Sequence, residues 1–336
     1  MKKLISIVCL FTITLTAKAQ FSFNPEVFLN QTQEDAQYLA GNYLKPLGNT
    51  FTVGLNNGWY QTAKTKKKFR PDLMFTPSII FVPQVDQSFT INNSELNQLE
   101  LSNMNMAETP TVFGDDSPGP ELKVKGTTSG STGFNAPSGI GYAIWAVPMA
   151  TFNIGTFKNT DLAIRYLPEM GFPASDGKVS MFGVGVKHDL LQWLPGEKIV
   201  PFDLSAFVGF TNFDFDYAFN SDAPDQRIVM SSNAYTGRLL VSKKILFITP
   251  YAGLGFNAGK TTIDVQGDYS FDPDGDSGPA PAQSVNFDAI EADGGNGFVG
   301  NVGVRLKFLF VMAFSVDYTF GAYNSVTAGL GASIDL

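Results

Sequence analysis

MAFSVDYTFGAYNSVTAGLGASIDL, residues 312–336, holds the pattern that decides the fold. From Val326 every second residue is apolar (Val326, Ala328, Leu330, Ala332, Ile334, Leu336), with Thr327, Gly329, Gly331, Ser333 and Asp335 between them. Just before it, Met312, Phe314, Val316, Tyr318 and Phe320 alternate with Ala313, Ser315, Asp317, Thr319 and Gly321. A third segment sets Phe298, Val302, Val304, Leu306 and Phe308 against Asn301, Gly303, Arg305 and Lys307. Successive side chains of a strand point to opposite faces, so each segment has one oily and one wet side. The alternation lasts roughly 9–11 residues, the length a tilted strand needs to cross a bilayer, whereas soluble strands average about 5–6. The opposite phase would press Arg305, Lys307 and Asp317 into lipid, at roughly 2–4 kcal/mol for a Lys or Arg near the midplane. The wet side therefore faces the lumen of a closed transmembrane barrel.

Seven further stretches alternate in the same way: 73–81, 144–154, 162–168, 179–188, 202–210, 228–241 and 248–258. Pro77, Pro148 and Pro250 fall inside three of them, where a residue without an N–H interrupts the ladder. Near Thr211 the phase slips, because Phe213, Phe215 and Tyr217 leave the face used by 202–210; a bulge or an exit from the membrane is expected there. Short links at 157–160, 242–244 and 308–311 alternate with long ones at 84–142, 170–178, 218–226 and 262–295. Bacterial barrels alternate short periplasmic turns and longer external loops in this way. A hairpin between 88–91 and 122–125 is expected inside the first long loop. With both chain ends in the periplasm the strand number is even: an all-β, antiparallel up-and-down barrel of ten or twelve strands, fourteen at most.

The N-terminal part differs. Met1-Lys2-Lys3, the apolar run from Leu4 to Leu15 and Ala17-Lys18-Ala19 form a secretory signal, so the mature chain is expected from Gln20. Segments 20–70 and 71–336 are then an N-terminal helix or plug and the barrel. Thr32 or Asp35 caps a short helix carrying Ala36, Leu39, Ala40, Tyr43 and Leu44, with a stop expected before Pro46. Such a helix either lies free in the periplasm or plugs the lumen. The stretch 51–60 reads as a strand or a lumen crossing.

Composition narrows the function. Charged residues are 16% of the chain and the net charge is −8, which argues against a nucleic-acid binder. Cys9 is the only cysteine and lies in the signal, so disulfides, thiolate-bound zinc and Cys nucleophiles are not expected in the mature chain. Gly at 33 and Phe at 30 suit a membrane barrel.

The blocks LAGNYLKPLGNTFTVGLNNGWYQTAK (39–64), GVGVKHDLLQWLPGEKIVPFDLSAF (183–207) and the closing RLKF and YNSVTAGLGAS resemble a family of uncharacterised Gram-negative outer-membrane barrel proteins. The resemblance implies the barrel and transfers no site. An N-terminal helix ahead of a barrel is similar in architecture to the long-chain fatty-acid channel family, whose N-terminal hatch plugs the pore. The alternating apolar end of the chain is similar to the signal read by the barrel-insertion machinery, with Leu336 where an aromatic is usual.

Catalytic signals are sparse. His188 is the single histidine, followed by Asp189 and on a strand with Ser180, but no nucleophile elbow accompanies it; an interfacial structural role is expected, with Trp193 and Leu194 anchoring the next turn. Asp272, Asp274 and Asp276 begin a calcium-loop spacing, yet Ser277 and Gln283 stand where an EF-hand needs Gly and Glu. Lys64, Lys66, Lys67, Lys68 and Arg70 form the one basic run, a solvated segment or a contact for an anionic lipid or ligand. Arg165, Asp203, Arg305 and Asp317 are expected to face the lumen, either pairing to hold the barrel and plug or steering a solute. No cofactor is implied. The sequence thus predicts no enzyme but an outer-membrane channel or uptake barrel for small solutes, apolar ones if the helix plugs the lumen, with a structural or surface-interaction barrel as the alternative. Its partners are outer-membrane lipid, the insertion machinery and an unidentified solute.

Overall fold

The structure, a computed structural model, describes residues 33–126, 133–171, 177–195, 200–218, 225–267, 288–308 and 311–333. The signal segment, the carboxylates Asp272, Asp274 and Asp276, and residues 334–336 lie outside them.

One helix, α1 (Gln33–Asn56), precedes the barrel. The staves follow in chain order. β1 is in two pieces, Pro71–Phe75 and Ser78–Phe81, and β2 likewise, Ile144–Val147 and Ala150–Gly155. Then come β3 (Thr160–Gly171), β4 (Gly177–Asp189), β5 (Asp203–Ala218), β6 (Arg227–Ser242), β7 (Ile248–Gln266), β8 (Gly297–Phe308), β9 (Met312–Phe320) and β10 (Asn324–Ser333). Each pairs antiparallel with its sequence neighbour, and β10 closes on β1 through Asp72↔Ser333, Phe75↔Leu330 and Asn324↔Phe81. The result is a closed ten-strand antiparallel barrel whose staves coincide with the ten alternating stretches.

Prolines account for the two broken staves. Pro77 and Pro148 face one another across the β1/β2 pair, between Phe75↔Ala150 and Ser78↔Val147, so one shared gap accommodates both missing donors. Pro250 stays within β7, near its start, opposite Val304. The expected bulge near Thr211 is not found: β5 keeps unbroken register with β4 and β6 through Tyr217. Phe213 instead points inward and stacks on Phe51 of α1 at 5.4 Å, while Asn212, Asp214 and Asp216 take the outer face. Beyond Phe210 the outer face is polar, so this half of β5 rises clear of the apolar belt.

That belt rings the barrel. Outward side chains such as Val184, Val208, Leu239, Leu254, Val302, Phe314 and Leu330 are exposed, a patch far larger than a water-soluble monomer tolerates. Exposed aromatics bound it on both sides. Toward the long loops stand Tyr166, Phe182, Tyr235, Phe256, Phe298 and Phe320; toward the short turns, Phe69, Phe157, Trp193, Phe202, Phe247 and Phe308. Two such girdles mark the edges of the hydrocarbon layer. On β8 they are Phe298 and Phe308, with Val302 between them. We expect Val302→Arg to cost about 2–4 kcal/mol in urea unfolding from lipid vesicles, the penalty for a cation near the midplane. An unchanged midpoint would place Val302 outside the lipid.

The described residues of the loop 84–142 form strands, but not the expected hairpin. Ser88–Asn92 pairs with Met106–Pro110, and Glu121–Val124 pairs with Leu99–Leu101 and Phe134–Asn135. Outside the bilayer no lipid constraint fixes which alternating segments meet. These two small sheets form a lobe over the long-loop end.

Candidate functional site

The plug is the centre of the structure. α1 does not stop at Pro46; it continues to Asn56. An interior proline ordinarily costs a helix about 3 kcal/mol or more, but both halves of this helix are fixed by what surrounds them. Asp35 is fully buried and its carboxylate accepts the backbone N–H groups of Asn97, Gln98 and Leu99 in the lobe. Beyond the proline, Asn49 donates to the Tyr323 hydroxyl at 3.1 Å and accepts from the Gly294 N–H at 2.7 Å. Tyr323, whose pKa burial raises above the usual phenol range, donates in turn to Asp86. Helix and lobe share one apolar core: Leu39 and Leu44 of α1, Ile91, Val112 and Phe113 of the lobe, and Ile80, Met230 and Ile263 of the wall. At 24 residues, and about 36 Å by the usual rise, α1 enters at the long-loop end and descends into the lumen. Gln33, the first described residue, thus lies at the long-loop end; the chain start expected in the periplasm lies outside the described residues.

Below α1 the chain crosses the lumen to the short-turn end. Polar contacts tie it to the wall: Asn57 Nδ2 to Ser325 Oγ at 2.9 Å, Tyr60 hydroxyl to Asn301 Oδ1 at 2.8 Å, and Ala63 N–H to Ser242 Oγ at 3.0 Å. Trp59 lies against bare backbone. A Cβ on Gly183, Gly185 or Gly209 would come within 3.1–3.2 Å of its indole and closer still to the Phe210 carbonyl or the Phe207 ring, so the bare backbone here leaves room for Trp59 and Phe207 together.

Arg165 stacks over Trp59, with its guanidinium carbon 3.7 Å from a ring centroid. It is fully buried and donates to the carbonyls of Leu55 (2.7 Å) and Asn57, which end α1, and to Thr151 Oγ1 (3.0 Å). A cation at a helix C-terminus meets the negative end of the helix dipole as well as its unsatisfied carbonyls. Arg305 donates to Asp72 Oδ2 at 2.9 Å, and Lys66 of the plug reaches the same oxygen at 2.8 Å. Asp317 accepts from the Tyr251 hydroxyl at 2.8 Å. Asp203 is half-buried at the short-turn mouth. All four lumen-facing residues named from the sequence thus point inward, and among the described residues Arg305 is the only one of them in an ion pair.

Parity would have found more. Asp72, Asp161, Lys187 and Arg238 share the lumen face and are buried; Lys187 pairs with Asp161 at 3.1 Å, and Arg238 donates to Asn257 Oδ1 at 2.7 Å. Asp72 and Asp161 each fall one residue before their predicted stretches, and Trp59 lies in the stretch 51–60 read as a strand or a lumen crossing, of which 51–56 prolong α1 and the remainder crosses the lumen.

His188 ends β4. The Trp193 indole N–H donates to its Nε2 at 2.9 Å, and its Nδ1 lies 2.8 Å from Thr160 Oγ1. The Asp189 carboxylate accepts the Leu191 N–H, bracing the turn, and Ser180 is near the far end of the strand. The imidazole's partners pin a turn at the aromatic girdle. Among the described residues no cluster of three or more His, Cys, Asp or Glu could hold a metal ion.

Two voids beside Tyr60 hold about 10 Å³ each, one water apiece. A family model described as a family of unknown function, DUF6588, matches residues 1–334. The chain belongs to the DUF6588 family. No curated protein matches this DUF6588 member. It is similar at 8% identity to the Ail attachment invasion locus protein of Yersinia pestis (TM-score 0.27, 80% of this chain and 98% of that one). It is similar at 8% to the transport unit of the Escherichia coli autotransporter AIDA-I (0.33, 88% and 99%) and at 8% to the TodX monoaromatic hydrocarbon channel (0.25, 80% and 67%). No activity is carried over from likenesses of this size.

Proposed function

We propose that this DUF6588 member is a Gram-negative outer-membrane protein whose barrel is a sealed mount for its external lobe, a structural or surface-interaction protein and not an open pore or an enzyme. The observation that carries this reading is the apolar core that runs without a break from α1 through the upper wall into the lobe. Moving α1 out of the lumen would expose side chains such as Leu39, Leu44 and Leu55, at about 1.5–3 kcal/mol each. The short turns then face the periplasm and the lobe faces outward.

Planar-bilayer recording tests the seal. The full chain is expected to give no ion conductance, and a variant lacking residues 33–66 to conduct. Steady conductance by the intact chain across solute sizes and charges would overturn the reading. A second reading, an uptake barrel for small solutes whose plug yields, is favoured by the polar lower half of the plug and by the cavity beneath it. Solute entry into liposomes carrying the intact chain, with no ion conductance, would select that reading.

A further inference from the structure

Beneath the plug, at the short-turn mouth, a cavity of about 260 Å³ opens toward solvent. Lys64, Lys66, Lys67, Lys244, Arg305 and Lys307 line it, against one lining carboxylate, Asp203. Three of these ammonium groups, on Lys64, Lys67 and Lys244, have no ion-pair partner among the described residues. Lys66 and Arg305 share the single carboxylate of Asp72, which leaves that group net positive. The chain as a whole carries −8, so this concentration of positive charge is local. The hydroxyls of Thr62, Thr65 and Thr249 add neutral hydrogen-bonding groups to the same wall. A second hollow of about 260 Å³ shares Lys64, Thr65, Lys66, Lys67 and Asp203 and adds one further carboxylate, Asp189, so the basic surface continues with cations still in excess.

We propose that this mouth is a binding site for a phosphate-bearing ligand. Several ammonium groups converging on a concave, partly water-excluded surface stabilise a multiply charged anion far better than a solvated lysine does, and hydroxyls complete its hydrogen bonds. The volume lies just under the usual range for drug-sized ligands and suits a single phosphorylated group. Phe247 forms part of the rim and belongs to the exposed apolar turn Ile245-Leu246-Phe247 at the girdle. The phosphate can therefore come from a lipid headgroup of the adjacent leaflet or from a small soluble molecule.

The test uses the full chain and the variant Lys64→Gln/Lys67→Gln/Lys244→Gln, whose altered side chains make no ion pair and are exposed. Calorimetric titration of inorganic phosphate, in neutral detergent and against chloride at equal ionic strength, is expected to show saturable binding that the variant weakens at least tenfold. Titration in nanodiscs then separates the sources. If phosphatidylglycerol suppresses phosphate binding and phosphatidylcholine does not, the ligand is the lipid headgroup; equal binding in both identifies a soluble ligand. No binding by the full chain, or equal affinity in the variant, would overturn the proposal.

Discussion

Asp72→Asn is expected to destabilise the plugged barrel by about 3–5 kcal/mol, the cost of removing one partner from a buried charge cluster. The carboxylate is 1% exposed and holds two cations from different parts of the chain, Lys66 of the plug and Arg305 of β8. An amide of the same shape leaves both cations desolvated with no countercharge. Lys66→Met is a milder change, since Asp72 and Arg305 still neutralise one another; the charge-assisted bond lost is worth about 1.5–3 kcal/mol, part of which the relief of a buried cation offsets. Joining the two substitutions removes one of the uncompensated cations, so the double variant should be more stable than Asp72→Asn alone. Urea unfolding from lipid vesicles reads these differences, and trypsin cleavage within the run Lys64–Lys68 reports whether the plug has come away from the wall. Equal midpoints for Asp72→Asn and Lys66→Met would show that charge compensation is not what holds this end of the plug.

The wall was legible in the sequence because lipid leaves it little freedom. A stave with Arg305 or Lys307 on its outer face is excluded by energy, so alternation reports facing directly, and all ten staves are where it puts them. The lumen has no such rule. Phe213 and Phe215 look out of phase only if the interior is assumed wet; beside Phe51 it is apolar, and register continues undisturbed. Pro46 stops a helix in water, yet α1 passes it because Asp35 on one side and Asn49 on the other are held by the lobe and by Tyr323. The strands at Ser88–Asn92 and Glu121–Val124 were recognisable individually, but their partners were not, since pairing in the lobe depends on tertiary contacts. The site residues divide similarly. Arg165 and Arg305 could be placed by parity, whereas Trp59 lies in an aperiodic stretch and only the inward glycines Gly183, Gly185 and Gly209 hint that something flat must press on them.

Arg165→Met should unseat the lower end of α1 while leaving the ten staves paired. The guanidinium satisfies the carbonyls of Leu55 and Asn57 and the hydroxyl of Thr151, and it covers the Trp59 ring, yet no carboxylate lies in ion-pair range of it among the described residues. Two effects oppose one another. Methionine relieves the burial of an unpaired cation, which favours the variant. It also strands two carbonyls at a helix end and withdraws charge-assisted bonds of about 1.5–3 kcal/mol apiece. The second effect is larger because the carbonyls stay buried, so a net loss of about 2–4 kcal/mol is expected. Arg165→Lys separates charge from shape: it keeps the cation but loses the planar fork that reaches two carbonyls and stacks on an indole. It is therefore expected to fall close to Arg165→Met, not close to the parent. Urea titrations in vesicles give the stabilities, and brief conductance bursts in planar bilayers, absent from the parent, report a plug that no longer fits its cradle. A lysine variant as stable and as silent as the parent would mean that positive charge alone, without the guanidinium's geometry, holds the helix end.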